Sequence, residues 1–414
     1  CQCKNGIYSV IPECGGIPER ILSLSCTVMR NIFLAALFSC EPPACGGMPV
    51  DSFTLTGGAP GGEAGGAIRI YFTQPGASSP VEESLVSLIS SQGPGDLYVC
   101  LYEFDSEPVI SAIEDAAARG AKICFVGDPD NAADEGYLRI KNIAPAADFV
   151  LPEEYRGDAI MHNKFVLVEN PEGEKYLWCG SANASDSDML YNNNNALVIR
   201  SDEVYEVYRR QMLFLLGEKK SGGETWPAVR GVERVQLGDA LLEIFFSYAG
   251  DARPVEERPM TYVTNLARAA TSDISFMIFT FTTQNYHEHD LAAALEDKSE
   301  SVSVRGLFDR SQSVNPSTGE IYKLMKSGSM NVHLDGNEQM SGSSNFAGGK
   351  LHHKVMIVDA NDQANAAVLT GSLNFTRSAN TINAENSIII HSYRTAQLFK
   401  AEFEKRWSEA DNEN

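Results

Sequence analysis

The chain has 414 residues, 43% apolar and 21% charged, which excludes a fibrous or wholly disordered protein and leaves room for two or three domains. Its 55 acidic residues against 33 basic ones give a formal charge of −22, which would repel a polyanion and counts against nucleic acid as a substrate. No apolar run reaches the roughly 18 residues of a spanning helix, which excludes a helical membrane span.

Six of the nine cysteines fall in the first 45 residues. Met29-Arg30-Asn31, the apolar run Ile32 to Phe38, and Ser39-Cys40 resemble a bacterial lipoprotein signal, with Cys40 as the residue that takes the lipid. The expectation is an exported cell-envelope protein that meets a membrane surface through lipidated Cys40. Pro, Gly and Ala dominate the stretch from Glu41 to Gly66, which suits a flexible tether, so residues 1–66 are set apart from the folded part. Cys100, Cys124 and Cys179 lie in apolar runs and read as buried thiols, with a Cys100–Cys124 bridge left open.

From Ala67 onward, short β-rich runs alternate with helical patterns, the mark of an α/β layer structure. Strands are predicted near 67–73, 96–103, 121–126, 162–169, 175–180 and 195–200. A helix is predicted over Glu107 to Arg119, where Val109, Ile110, Ile113 and Ala117 recur at helical spacing. A closing helix near 202–216 ends a first domain, 67–216. Residues 217–237, rich in Gly, Lys and Glu around Pro227, read as a linker.

A second domain, 238–410, repeats the plan. Strands Leu242 to Tyr248, Ile274 to Thr282 and Val302 to Phe308, helices Thr261 to Ala270 and Leu291 to Leu295, and a closing helix Thr395 to Trp407 are predicted. Asp309 ends one strand as Asp128 ends its counterpart. Two such mixed sheets flanked by helices are expected to face each other across a pseudo-twofold axis, with a site at the axis drawing matched residues from both. That site needs no oligomer. The second half alone carries the Gly, Ser and Asn-rich stretch Asp335 to Lys350, a binding loop or simple disorder.

The repeat is sharpest at His162-Asn163-Lys164 and His352-His353-Lys354, each followed by four apolar residues and an acid, Glu169 or Asp359. Strand residues two apart share a face, so His and Lys project together, whereas the acid falls on the other face and reads as structural. Gly180-Ser181-Ala182-Asn183 and Gly371-Ser372-Leu373-Asn374 follow, and then Asn194-Asn195 and Glu385-Asn386 at matching offset. Gly allows close backbone approach, and Ser and Asn near a helix start can donate to an oxyanion. Two copies in one order make chance implausible.

An imidazole is a competent nucleophile toward phosphorus, and a second, protonated one can serve the leaving alkoxide and then water. Lys164 and Lys354, with Ser181, Asn183, Ser372 and Asn374, would hold the oxygens where negative charge accumulates. The lone histidines His333 and His391 read as structural, and His353 as packing that points away from His352. His287-Glu288-His289-Asp290 lacks a metal-site spacing, and Asp128, Asp130, Asp134 and Glu135 read as solvated loop acids.

The doubled His-x-Lys motifs with their Gly-Ser-x-Asn and third clusters resemble the phospholipase D superfamily over roughly residues 67–410. Glu169, where Asp is usual, and Asn194, where an acid is common, depart from that pattern. The resemblance implies a two-step reaction through a phosphohistidine, with neither metal ion nor other cofactor, on a phospholipid or other phosphodiester. It also implies that the third cluster contacts the histidine ring. Glu385 is then expected to keep His352 protonated as the acid, and Asn194 to leave His162 neutral as the nucleophile. The leading expectation is a hydrolase of phospholipid head groups. A nuclease, a phosphatidyltransferase of the cardiolipin synthase kind, and an inactive binding protein are the alternatives.

Overall fold

Apolar residues on both faces of the central strands dictate sheets covered on both sides. The computed structural model describes residues 53–56, 67–73, 79–250, 253–283, 290–336 and 349–410. In the first half the strands are β1 (Phe53–Thr56), β2 (Ala67–Phe72), β3 (Asp96–Leu101), β4 (Lys122–Val126), β5 (Phe149–Val150), β6 (Lys164–Glu169), β7 (Lys175–Gly180) and β8 (Asn195–Arg200). Helices α1 (Pro80–Ser90), α2 (Glu107–Ala118), α3 (Glu135–Ile143), α4 (Asp186–Leu190) and α5 (Asp202–Leu215) accompany them.

The second half has β9 (Glu233–Leu237), β10 (Ala240–Ser247), β11 (Asp273–Ile278), β12 (Ser303–Asp309), β13 (Asn331–Asp335), β14 (Lys354–Val358), β15 (Ala367–Gly371) and β16 (Glu385–His391). Its helices are α6 (Pro259–Ala269), α7 (Leu291–Ser299), α8 (Arg310–Ser313), α9 (Glu320–Ser327), α10 (Arg377–Thr381) and α11 (Tyr393–Glu409).

The sheet orders, β1-β2-β8-β7-β6-β3-β4-β5 and β9-β10-β16-β15-β14-β11-β12-β13, are the same topology twice. Both are mixed: β3 runs parallel to β4 and antiparallel to β6, as β11 does to β12 and β14. Strand alternation assigns the faces. Val166 and Val168 pack under the outer helices of the first half, and Met356 and Val358 in the corresponding core of the second. Phe165, Leu167, Val355 and Ile357 all enter one large core shared by the two sheets and closed by α5 and α11. Burial of these side chains, roughly 1.5–3 kcal/mol each, ties the halves together.

Several expectations change. Glu233 to Leu237, inside the stretch read as linker, pairs with β10 because alternate residues Val235 and Leu237 are buried. Phe53–Thr56, inside the stretch read as tether, pairs antiparallel with β2. Cys100 and Cys124 are free thiols, since the β3–β4 register sets Cys124 opposite Tyr98 and Cys100 opposite Val126. Residues 1–52, with Cys40 and the signal-like segment, lie outside the described residues, as do 284–289 and 337–348.

Candidate active site

The histidine-bearing segments do not begin as strands. Residues 161–163 leave the first sheet to meet the second half: Met161 bridges Ala384, His162 N–H donates to Ala384 O at 2.9 Å, and Ala384 N–H to Ile160 O at 2.9 Å. The counterpart exchanges the halves. Leu351 bridges Asn193, His352 N–H donates to Asn193 O at 2.9 Å, and Asn193 N–H to Lys350 O at 2.8 Å. The two strand-end acids brace these segments: Asp128 Oδ2 accepts Met161 N–H at 2.7 Å, and Asp309 Oδ2 accepts Leu351 N–H at 2.9 Å. Asp128 is thus a buried backbone acceptor, not a solvated loop acid.

The rings are held by the opposite half. His162 Nδ1 lies 2.7 Å from Glu385 Oε2, and His352 Nδ1 lies 3.0 Å from Asn194 Oδ1. The expected pairing of Glu385 with His352 and Asn194 with His162 is therefore reversed, because the third cluster of each half follows the crossed backbone bridges. Ser372 Oγ and Asn383 Nδ2 also donate to Glu385, at 2.5 and 3.1 Å, so the carboxylate is an acceptor throughout and fixes the His162 proton on Nδ1. Ser181 Oγ donates to Asn194 Oδ1 at 2.8 Å, and Asn194 Nδ2 to Asp188 O at 3.2 Å, which orients the amide oxygen toward His352.

Ser181 and Ser372 were expected to hold substrate oxygens. Their hydroxyl protons are instead engaged by Asn194 and Glu385, while their oxygens accept Asn195 N–H and Asn386 N–H at 3.0 Å each. The glycines before them are required: a Cβ on Gly180 or Gly371 would stand 2.2 Å from Asn195 O or Asn386 O. Asn183 donates Nδ2 to Glu103 at 3.2 Å and its N–H to Asp188 Oδ2 at 2.7 Å, and Asn374 Oδ1 accepts Thr280 N–H at 3.3 Å.

Lys164 and Lys354 are buried, each donating Nζ to the carbonyl of its own histidine, at 3.0 and 2.7 Å. Each also lies over an aromatic ring that abuts the same histidine. Tyr102 meets His162 edge-on at 5.2 Å with Lys164 5.4 Å away, and Phe279 meets His352 at 4.8 Å with Lys354 5.0 Å away. β11 ends at Ile278 rather than Thr282, because Phe279 turns to His352 and Thr280 O accepts Phe375 N–H.

Crowding of basic groups away from water sets the charges. Burial pulls His162 down to about 4 against the favourable Glu385 carboxylate. Burial, then Lys354, Lys164 and His162, hold His352 well below the usual imidazole value. Lys164 falls to about 8 by burial, opposed by Glu385, Asp188 and Glu103, and burial with Lys164 nearby depresses Lys354 strongly. These mutual effects place both His-x-Lys pairs in one cluster.

Asp188, Tyr102 and Phe279 were not singled out from the sequence. Asp188 Oδ2 lies 3.3 Å from His352 Nδ1, a carboxylate just beyond the amide oxygen of Asn194 that accepts from this ring. It looked like one more acid in a helix first turn, whereas Tyr102 and Phe279, each just past a matched strand, could be found by aligning the halves. Asp359 and Glu169 stand apart from the cluster. Asp359 accepts Thr271 and Ser272 N–H at the start of β11, and these bonds outweigh burial to hold its carboxyl low. His353 is buried against Asn195, His333 stacks on Trp407, and His391 pairs with Glu243. Among the described residues no three His, Cys, Asp or Glu side chains are grouped to hold a metal ion. His287, Glu288 and His289 lie outside them.

The family described as "Cardiolipin synthase, PLD-like domain" matches residues 85–215 and 263–407, one segment in each half. The chain belongs to this family and so to the phospholipase D superfamily, whose members are phosphodiesterases or phosphatidyltransferases. Over 63 residues, 15% of this chain, it is 40% identical to the mitochondrial cardiolipin hydrolase of Xenopus tropicalis and 41% identical to that of Mus musculus. Those matches span 28% and 26% of the two proteins, about a quarter of their length. In fold it is similar to the phosphatidylserine synthase of Haemophilus influenzae Rd KW20, with a TM-score of 0.53 and 13% identity over 81% of this chain and 85% of that one.

Proposed function

We propose that the protein hydrolyses phospholipid head-group phosphodiesters through a phosphohistidine on His162. The observation that carries this reading is the crossed pairing of the two rings with Glu385 and Asn194. With Nδ1–H held by Glu385, His162 presents the Nε2 lone pair to phosphorus. As the N–P bond forms, the ring becomes cationic, and the adjacent carboxylate stabilises that charge. The pairing expected from sequence gave His162 the same role for the opposite reason, and that reason is gone.

His352 gives its proton to the departing alkoxide as the P–O bond breaks, then takes one from the water that attacks the phosphohistidine. Its hydrogen-bond partner is an amide oxygen at 3.0 Å, with the Asp188 carboxylate farther off at 3.3 Å, so its imidazolium is stabilised less than one bonded to a carboxylate at 2.7 Å and the ring is the stronger acid. The proton arrives with the substrate, whose negative charge opposes the burial and the lysines that together depress His352. Lys164, Lys354 and the amide nitrogens of Asn183 and Asn374 hold the non-bridging oxygens.

A lipid is favoured over nucleic acid by the acids gathered near Tyr102. Its hydroxyl is pushed up to about 12 by burial and by Glu103, Asp128, Asp130 and Asp134, a setting unfavourable to a polyanion. Anchorage through Cys40 in the cell envelope would set the site beside such lipids, and loss of palmitate labelling in Cys40→Ala tests it.

The deciding experiment measures choline and ethanolamine release from vesicles, and cleavage of single-stranded DNA, in excess chelator. Head-group release that disappears in His162→Ala supports the reading. DNA cleavage without head-group release makes the protein a nuclease, and an unchanged rate in the variant removes the mechanism. Added glycerol reports transfer to an alcohol, the outcome expected of a phosphatidyltransferase.

A further inference from the structure

His352 is held less firmly by its ring than His162, through an amide oxygen at 3.0 Å and the Asp188 carboxylate at 3.3 Å rather than a carboxylate at 2.7 Å. Its orientation therefore leans on the backbone of its segment, which is bonded to Asn193 and Asn192. Asn193 O accepts His352 N–H, Asn193 N–H donates to Lys350 O, and Lys350 N–H donates to Asn192 Oδ1 at 3.0 Å. The free end of Asn193 is not left to water. Arg406, on α11, donates Nη1 to Asn193 Oδ1 at 2.9 Å in a buried bond between the halves. Glu402 lies 3.5 Å from Nε of Arg406, and Glu409 pairs with its Nη2.

The other half shows that this bond is a particular device and not a demand of the fold. Ser201 and Ser392 cap the matched helices α5 and α11. At equal offset from those caps, Leu215 occupies the place of Arg406. In the third cluster, Ala384 precedes Glu385 where Asn193 precedes Asn194. Behind His162, then, the polar pair Arg406–Asn193 is replaced by Leu215 and Ala384, both in the shared apolar core. Both members change together.

We infer that Arg406 is a positioning residue for the general acid, acting through Asn193 to fix the segment that carries His352. Its buried guanidinium supplies a directional bond behind a ring whose hydrogen-bond partner is an amide, with the Asp188 carboxylate farther off at 3.3 Å. The inference rests on the general-acid reading of His352 given above.

The test compares two substrates, bis(4-nitrophenyl) phosphate, whose leaving group departs without a proton, and diphenyl phosphate, whose leaving group needs one. His352→Ala should lose much more activity on diphenyl phosphate. Asn193→Ala and Arg406→Ala should each lower kcat on that ester by about 10-fold more than on the nitrophenyl ester, with KM unchanged. The double variant should be no worse than either single one, and Arg406→Lys should recover part of the loss. Asn193→Ala removes the same bond without touching α11, should Arg406→Ala fail to fold. Equal losses on both esters in Asn193→Ala, or none, overturn the inference while a selective His352→Ala leaves the reaction scheme standing. An unselective His352→Ala removes the general-acid reading itself.

Discussion

Glu385 Oε2 stands 2.7 Å from Nδ1 of His162, a residue 223 positions earlier in the chain and in the other half of the fold. Glu385→Gln keeps an acceptor for Nδ1–H and removes the charge. Because that charge is assigned to stabilising the cationic phosphohistidine, kcat/KM should fall by about 100-fold. The intermediate trapped by an alkaline quench should diminish in step. A variant within a few-fold of the parent protein would show that the carboxylate only orients the ring.

Asn194 is the complementary case. Asn194→Asp places a carboxylate 3.0 Å from His352 Nδ1 in place of the amide oxygen. An adjacent opposite charge favours the protonated ring, so the alkaline limb of the kcat/KM profile should move upward by about one pH unit or more. The rate on the plateau should fall, since a stabilised imidazolium is a weaker acid. A profile whose limb stays in place would detach that limb from His352.

The buried lysines are expected to set stability against function. Burial and Lys164 hold Lys354 far below its ordinary value, so the native state binds this proton less readily than the unfolded chain. Below the unfolded-state value the charge therefore destabilises the fold, and a neutral side chain of similar length removes the penalty. Lys354→Met should raise Tm by a few degrees, roughly 2–4 °C, and lower kcat by about 100-fold or more. Thermal unfolding and initial rates on one preparation decide it; a lower Tm would mean that the bond from Nζ to His352 O outweighs the buried charge.

Much of the fold was legible because its signals are local or repeated. The continuous apolar runs Phe165 to Val168 and Val355 to Val358, and helical spacing in Glu107 to Arg119, are written within single elements. Repetition exposed His162 with His352, and Lys164 with Lys354. Which half's side chain meets which ring was not legible, since the sequence pairs equivalent residues and carries no mark of the backbone bridges Met161–Ala384 and Leu351–Asn193. Arg406 was hidden for a related reason. On α11 it is one cation in an amphipathic helix, and its partner Asn193 lies 213 positions away.

Oxyanion binding tests whether the two rings and the two lysines converge on one anion. Sulfate keeps its charge over this pH range, so any pH dependence belongs to the protein. The bound anion raises the depressed values of His162 and His352, so binding takes up protons and affinity must fall as pH rises. Lys164, at about 8 in the free protein, adds a second decline above that pH as its charge is lost. Sulfate titrations in buffers of different ionisation enthalpy should therefore show proton uptake near neutrality and a Kd that weakens steadily, by up to about 10-fold per unit for each linked proton. In Lys164→Met the decline above pH 8 should vanish while the part due to histidine persists. A Kd flat from about pH 6 to 9 would mean that the rings and lysines do not converge on one anion.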